Sequence, residues 1–402
     1  MKQIEHKEIS SKLMKNTLIV IGRLSYPNGS APCNRVHLYC KALKHQNGFP
    51  FIINLHSTFR EKPKFNFLAR NDGIPFYYAQ KTPLWEDNIL LRNMNKIKGL
   101  FNTIFVIRKI KKKHSLKVLF YATEPWDELF LFVFLKIMKV PIIRDCSEIP
   151  SFVINKKKAI KLHQFFLRLR IKMYHDIIVI SDYLNSYYSE IFPKKRIFQI
   201  PILVDMDRFK KTETKKNATK IITYVGYMIG NKDGLQNLIE AMALVVERNK
   251  NVKLQLVGSG PDKDMIQLRN KVKALNLCNF ISFFGKKNSE EIPAILSQSD
   301  LLVLARPDNS QAKAGFPTKL GEYLASAKPV VITTTGEIPK YLKHKESAYL
   351  AKPGDIQDFA EKINYALSDK NSQVIGEKGY EIANDNFNYK LYGKKIFNIL
   401  QN

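Results

Sequence analysis

Six short apolar runs, at 220–226, 252–257, 279–284, 301–304, 329–333 and 347–350, alternate with stretches of helical apolar spacing at 234–249, 262–276, 289–298, 317–327 and 355–368. The runs have strand length, while the stretches between them repeat their apolar residues every three to four positions. A chain that alternates in this way returns along each helix and lays its strands side by side in parallel, with right-handed crossovers. The first half shows the pattern less cleanly. Its strand candidates are 17–22, 50–55, 74–78, 117–122, 140–144, 176–180 and 197–200, separated by helical stretches at Arg35–Gln46, Leu90–Lys113, Trp126–Met138 and Ile160–Tyr174. The fold class is therefore α/β. A chain of 402 residues has room for two domains of ordinary size, and the lysine-rich, aperiodic segment Asp205–Thr219 is the best boundary between them. A last helix is expected over about 386–401.

Three strands run into glycine turns. Tyr224-Val225-Gly226 continues to Lys232-Asp233-Gly234, where Gly226 permits close backbone approach and Lys232 is a candidate phosphate cation near a helix start. Leu254–Val257 runs into Gly258-Ser259-Gly260-Pro261, and Ile281–Phe284 into Gly285-Lys286. After the strand Leu301–Ala305 comes Ala314-Gly315-Phe316-Pro317-Thr318-Lys319-Leu320-Gly321-Glu322-Tyr323-Leu324-Ala325, which opens a helix. Free N–H groups and the helix dipole favour an anion at such a place, which makes this a candidate diphosphate site. Glu322, on the first turns of that helix, can accept hydrogen bonds from ribose hydroxyls. An ordinary α/β turn with a surface lysine and glutamate is the plainer alternative.

The ordered set of three glycine turns followed by Gly315–Glu322 resembles the retaining family 4 glycosyltransferases of the GT-B fold. The match is good over about 220–370 and loose over 17–200. Three positions depart from the usual pattern: Ala314 stands where a glutamate is expected, Pro317 where a glycine is expected, and Tyr227 where an arginine is expected. One cation is thus missing, and Lys319 or Arg306 can substitute for it. The resemblance implies two Rossmann-like domains facing across a cleft. Residues 1–204 would hold the acceptor and 205–385 a nucleotide sugar, with the final helix, 386–402, packed back on the first domain. It also implies donor contacts at Gly226, Lys232, Gly258, Gly285, Lys286, Gly315, Phe316, Pro317, Thr318, Lys319, Leu320 and Glu322. In the first half, the loop Tyr26–Arg35 would bring Gly29, Asn34 and Arg35 to the donor phosphates and acceptor; a plain turn and helix cap are the alternative.

Many family members carry a histidine after the strand that corresponds to Val118–Tyr121, but here the chain reads Ala122-Thr123-Glu124-Pro125. Glu124, Asp145 and Glu148 are the candidate carboxylates for deprotonating an acceptor hydroxyl. Each could equally bind acceptor hydroxyls or cap a helix. HExxH, CxxC, GxSxG and GxxxxGK[ST] patterns are absent, which disfavours zinc, serine-hydrolase and P-loop chemistry. No cofactor or metal is expected. Four scattered cysteines suit a reducing compartment.

Net charge is +29. Residues 1–205 hold 35 lysines and arginines against 15 aspartates and glutamates, a balance of +20, which leaves +9 for the remainder. Basic runs at Lys109–Lys113, Lys156–Lys158 and Arg168–Lys172 lie among Phe101, Phe105, Phe152, Phe165 and Phe166. That mixture suggests an anionic membrane surface; a helix with one solvated lysine face is the plainer reading. Nucleic acid is disfavoured because no recognition motif accompanies the charge. The apolar run Leu129–Leu135 is too short to span a membrane, and Thr17–Gly22 is too short for a signal-peptide core. The expectation is a cytoplasmic enzyme, peripheral on the inner face of the cell membrane, that moves sugar from a nucleotide-sugar donor to a glycan or lipid-linked acceptor in surface polysaccharide or glycolipid synthesis. A nucleotide-sugar epimerase of the same fold and a non-catalytic basic membrane-binding module are the alternatives.

Overall fold

The computed structural model describes residues 16–28, 30–112, 114–148, 160–209 and 218–401. In the first half, strands β1 (Thr17–Gly22), β2 (Phe49–Asn54), β3 (Leu68–Asn71), β4 (Ile74–Tyr78), β5 (Leu116–Tyr121), β6 (Ile142–Asp145), β7 (Asp176–Val179) and β8 (Arg196–Gln199) form one sheet in the order β3-β4-β2-β1-β5-β6-β7-β8. Its helices are α1 (Ala31–His45), α2 (Ile89–Lys111), α3 (Pro125–Ile137), α4 (Ile160–Lys172) and α5 (Asp182–Ile191). All neighbours pair in parallel except β3 and β4. β3 lay outside the sequence expectation. It is an antiparallel edge strand turned by Asp72-Gly73, both at positive φ (50° and 70°), the conformation a two-residue hairpin turn demands.

The second half holds β9 (Lys220–Val225), β10 (Val252–Val257), β11 (Ile281–Gly285), β12 (Leu301–Leu304), β13 (Val330–Thr333) and β14 (Tyr349–Ala351), in the all-parallel order β11-β10-β9-β12-β13-β14. Between and after them run α6 (Leu235–Arg248), α7 (Asp262–Ala274), α8 (Ile292–Ser297), α9 (Ser310–Ala314), α10 (Thr318–Ala325), α11 (Ile338–Tyr341), α12 (Ile356–Ser368), α13 (Ser372–Phe387) and α14 (Gly393–Gln401). The strand order reverses between β9 and β12, and in the first sheet between β1 and β5. In such sheets a ligand sits in the crevice beyond the carboxyl ends at the reversal.

Both faces of each sheet are covered, so central strands such as β1, β5, β12 and β13 are almost wholly apolar and buried. In β1, Ile19 and Ile21 face Ile107 of α2 and Leu131 and Leu135 of α3. Leu18 and Val20 face Tyr39 and Leu43 of α1 together with Ile396 and Ile399 of α14. The final helix therefore seals the first sheet, not the second. A Cβ at Gly393 would lie 2.7 Å from the Ala42 carbonyl oxygen, so glycine permits α14 to approach α1. Lys117 Nζ donates to the Ile399 carbonyl at 2.8 Å.

The single helix expected over 386–401 begins only at Gly393; residues 386–387 close α13, a helix outside the sequence expectation, and a break follows. Val204, in the connection between the sheets, donates to Phe387 O at 2.8 Å and accepts from Tyr389 N at 3.1 Å. That pairing takes the backbone groups a continuous helix would use, and a 3-10 turn at Tyr389–Tyr392 follows. A second link joins α5 to the other half: Asp182 N donates to Glu337 Oε1 at 2.8 Å, and Lys340 Nζ to Asp182 Oδ2 at 2.7 Å.

Candidate functional site

The glycine turns are laced together at the carboxyl edge of the second sheet. Gly226 N donates to Val257 O at 2.9 Å, Met228 N to Ser259 O at 2.9 Å, and Gly258 N to Gly285 O at 2.8 Å. Gly258 lies at φ +139°, and a Cβ there would overlap the Gly226 carbonyl. A Cβ at Gly226 would overlap the Lys319 ammonium. These glycines serve close packing of turn on turn. Gly285, at φ +69°, meets nothing nearby, so its backbone conformation alone requires glycine. Lys286 beside it is exposed.

Lys319 projects from the first turn of α10 into the reversal between β9 and β12. Its Nζ pairs with Asp233 and donates to Tyr224 Oη at 2.9 Å. Burial pushes the Lys319 pKa down, while Asp233 opposes that shift. Burial pulls the Asp233 carboxyl up, but Lys319, Tyr224 and Arg306 together outweigh it and leave the carboxyl below its ordinary range. Arg306 follows β12 and is only 3% exposed; its Nε and Nη1 have no hydrogen-bond partner among the described residues. A Cβ on Gly315 would lie 3.7 Å from Arg306 Nη2, so this cation reaches the turn before α10. Lys232 stands at the rim, with Nζ 3.7 Å from Glu148 Oε1 of the first half. Three cations thus gather around one buried carboxylate. The N-cap of α10 is Pro317, whose side chain makes no capping hydrogen bond.

The predicted donor residues divide by what they expose. Gly315, Thr318, Lys319 and Glu322 are partly accessible. Phe316 and Leu320 are core. Phe316 is 4% exposed and stacks on Tyr341, with ring centres 5.5 Å apart, and Leu320 is fully buried. Their side chains are not available to a ligand, and only backbone groups there can touch one. Pro317 is buried as well. Glu322 Oε1 accepts from Arg208 Nη1 at 2.9 Å, and Arg208 Nη2 also donates to Ser289 Oγ at 3.0 Å. Nothing in the sequence singled out Arg208, which lies 114 residues from its partner.

In the first half, Gly29 lies outside the described residues. Asn34 is half-buried on the first turn of α1. Arg35 is 3% exposed and donates to the carbonyls of Pro201 and Ile200 at 2.7 and 2.8 Å, so it holds the chain connection and does not reach a donor. Asp145 faces the same arginine at 3.3 Å and accepts from Tyr39 Oη at 2.7 Å, buried throughout. The expectation of Asp145 as a base meets a carboxylate already bonded and shielded from the crevice. Glu124 is half-exposed at the β1/β5 reversal and pairs with Arg23 at 2.5 Å. Glu148 has the most exposed side chain of the three carboxylates, and it is the one that reaches toward Lys232. A histidine absent from the expected strand end comes from two strands away, across β1: His56, just past β2, has Nε2 2.8 Å from Asp127 Oδ2, with both residues buried.

Residues 205–382 match the family model described as Glycosyl transferases group 1. The N-acetyl-alpha-D-glucosaminyl L-malate synthase of Bacillus anthracis is 28% identical over 214 residues, 53% of this chain and 52% of that protein. The chain spans about half the length of such curated relatives. The alpha-monoglucosyldiacylglycerol synthase of Streptococcus pneumoniae is 21% identical over 316 residues, 73% of this chain and 69% of that one. The solved structure of Anabaena HepE in complex with UDP-glucose superposes with a TM-score of 0.66 over 96% of this chain and 99% of that one, at 17% identity. The architecture, two Rossmann-like sheets facing across a crevice, is that of GT-B glycosyltransferases. Within it, residues 205–382 are the part similar to the group 1 glycosyl transferases.

Proposed function

We propose that this protein transfers a glycosyl group, with retention of anomeric configuration, from a nucleotide sugar on the second sheet to an acceptor on the first. The observation that carries the reading is the cluster of Lys319, Arg306 and Lys232 around Asp233, beneath the start of α10. Buried cations in excess of buried carboxylates are costly unless an anion completes the site. A nucleoside diphosphate supplies that charge, and the same cations and backbone N–H groups stabilise it as it departs. No step of this reading is assigned to a metal. Glu322 then meets the ribose. The likeness to proteins whose names specify UDP-glucose binding and glycolipid synthesis supports a nucleotide-sugar donor and a glycan or lipid-linked acceptor. The exposure of Glu148, opposite Lys232, and of Glu124 supports them as the carboxylates that meet an acceptor hydroxyl. The balance of +20 in residues 1–205 draws the protein to the inner face of an anionic membrane, where such acceptors are made.

The test is thermal shift with a panel of nucleoside diphosphates and the matching nucleosides, followed by turnover of the donor sugars of whichever base binds. A diphosphate raises the melting temperature more than its nucleoside, and the product keeps the donor's anomeric configuration. Absence of stabilisation by every diphosphate overturns the reading. Donor isomerisation without an acceptor would assign an epimerase instead.

A further inference from the structure

Helices α2, α3 and α4 lie side by side on one face of the first sheet. Phe101 of α2 meets Phe130 of α3 edge to face, with ring centres 5.4 Å apart, and Arg170 of α4 donates to Glu128 of α3 at 2.5 Å. Their inner faces are core, including Ile107, Leu131 and Ile171. Their outer faces are apolar too. On α2, Leu90, Met94, Ile97, Phe101 and Phe105 recur every three to four residues, each at least half exposed, on the side opposite buried Gly99 and Thr103. On α3, Trp126 and Ile137 are 79% and 72% exposed, and on α4 Phe165 and Phe166 are 56% and 58%. Among the described residues, these three helices hold fourteen of the twenty-four exposed large hydrophobic side chains. Scattered apolar residues are ordinary on a protein surface, but a contiguous face of them marks a binding surface.

The charges beside this face identify its partner. Within the described residues of the three helices, the only acidic side chains are Asp127 and Glu128. Both are buried, Asp127 against His56 and Glu128 against Arg144 and Arg170. The charges left outside are cationic, among them Lys98, Arg108, Lys111 and Lys136. Lys113, Lys156–Lys158 and Phe152, which the sequence placed in the same surface, lie outside the described residues. No helix among the described residues is long and apolar enough to cross a membrane. We infer that this three-helix face seats in the headgroup layer of an anionic bilayer, its apolar side chains inserted and its lysines and arginines on the lipid phosphates. This goes beyond attraction by net charge, since the apolar face supplies the anchor and the cations select the lipid. Trp126 is two residues from Glu124, so the inserted face borders the crevice on its acceptor side. The inference deepens the acceptor part of the reading above and is independent of the donor site.

The chain has two tryptophans, so Trp85→Phe leaves Trp126 as sole reporter. Full-length Trp85→Phe protein is mixed with phosphatidylglycerol/phosphatidylcholine vesicles and with pure phosphatidylcholine vesicles. Co-sedimentation, the Trp126 emission maximum and nucleoside diphosphate binding are read together. The expected result is sedimentation with the anionic vesicles and a blue-shifted Trp126. Leu90→Asp with Ile97→Asp should weaken vesicle binding by more than about tenfold. Arg108→Gln with Lys111→Gln should weaken it about fivefold per cation. Nucleotide binding should hold in every variant, which separates failure of the surface from failure of the donor site. Binding that ignores the aspartate substitutions and leaves Trp126 unshifted overturns insertion in favour of simple electrostatic adhesion. Equal binding to neutral vesicles overturns the choice of an anionic partner. A blue shift that grows with protein concentration without lipid, together with a dimeric mass, assigns the face to a second copy of the chain and overturns the proposal, as does absence of vesicle binding.

Discussion

Arg208 Nη1 donates to Glu322 Oε1 at 2.9 Å, which ties the connection between the two sheets to the helix Thr318–Ala325 at the candidate donor site. Both side chains are mostly buried, so the pair fixes the glutamate's rotamer. The proposed ribose contact thus depends on a residue of the linking segment.

Glu322→Ala should weaken nucleoside diphosphate binding by about tenfold or more without unfolding the protein, the loss expected for one charged hydrogen bond. Arg208→Ala should weaken it less, and the double variant should be no worse than Glu322→Ala alone, because the arginine acts through the glutamate. Isothermal titration of the three variants checks this. Additive losses would mean that Arg208 contacts the ligand itself.

Lys319→Ala, Lys232→Ala and Arg306→Lys should each reduce affinity for the diphosphate more than for the nucleoside. Arg306→Lys keeps the charge but loses the planar donor set, so it reports whether Nε and Nη1 meet phosphate. Equal losses for both ligands would place these residues at the base or in folding.

Gly258→Ala should destabilise the second half by about 1–3 kcal/mol and impair nucleotide binding. Its Cβ overlaps the Gly226 carbonyl, and φ is +139°. Gly354→Ala is the comparison: it also has positive φ (79°), but its Cβ meets open space, so it should cost less and leave binding intact. Chemical denaturation with and without nucleotide separates the two.

Glu128 is fully buried and receives Arg144, Arg170, Tyr174 and Thr123. Burial pulls its pKa up, but Arg170 and Arg144 outweigh that and hold it below the ordinary 4.5. Glu128→Gln leaves two arginines short of a charge and should cost about 3 kcal/mol at neutral pH. A lowered folded pKa gives stability that is present above 4.5 and lost as pH falls through the folded value. The gap in melting temperature between wild type and variant should therefore narrow below pH 4.5. A gap that stays constant from pH 6 to pH 4 would show that the carboxylate's charge is not what the network uses.

The sequence by itself determined the α/β class, nearly every parallel strand, and the set of glycine turns that precede Thr318–Ala325. Those features follow from short-range causes: apolar periodicity, helix starts, and backbone positions that admit only glycine. Pattern reading fell short where chain segments distant in sequence decide local structure, as at Val204, which breaks the last helix by pairing with Phe387 and Tyr389. The same holds for site chemistry. Phe316 and Leu320 belong to the motif, yet packing turns their side chains into the core. Asp145 reads as a cleft carboxylate until the fold delivers Arg35 to it across 110 residues. The sequence carries Lys319, Asp233 and Arg306 as separate residues, and only the reversal of strand order between β9 and β12 gathers them into one cationic site. Side-chain charge and shape are written locally, but burial and partnership depend on which strand ends meet, and that is a property of the whole sheet.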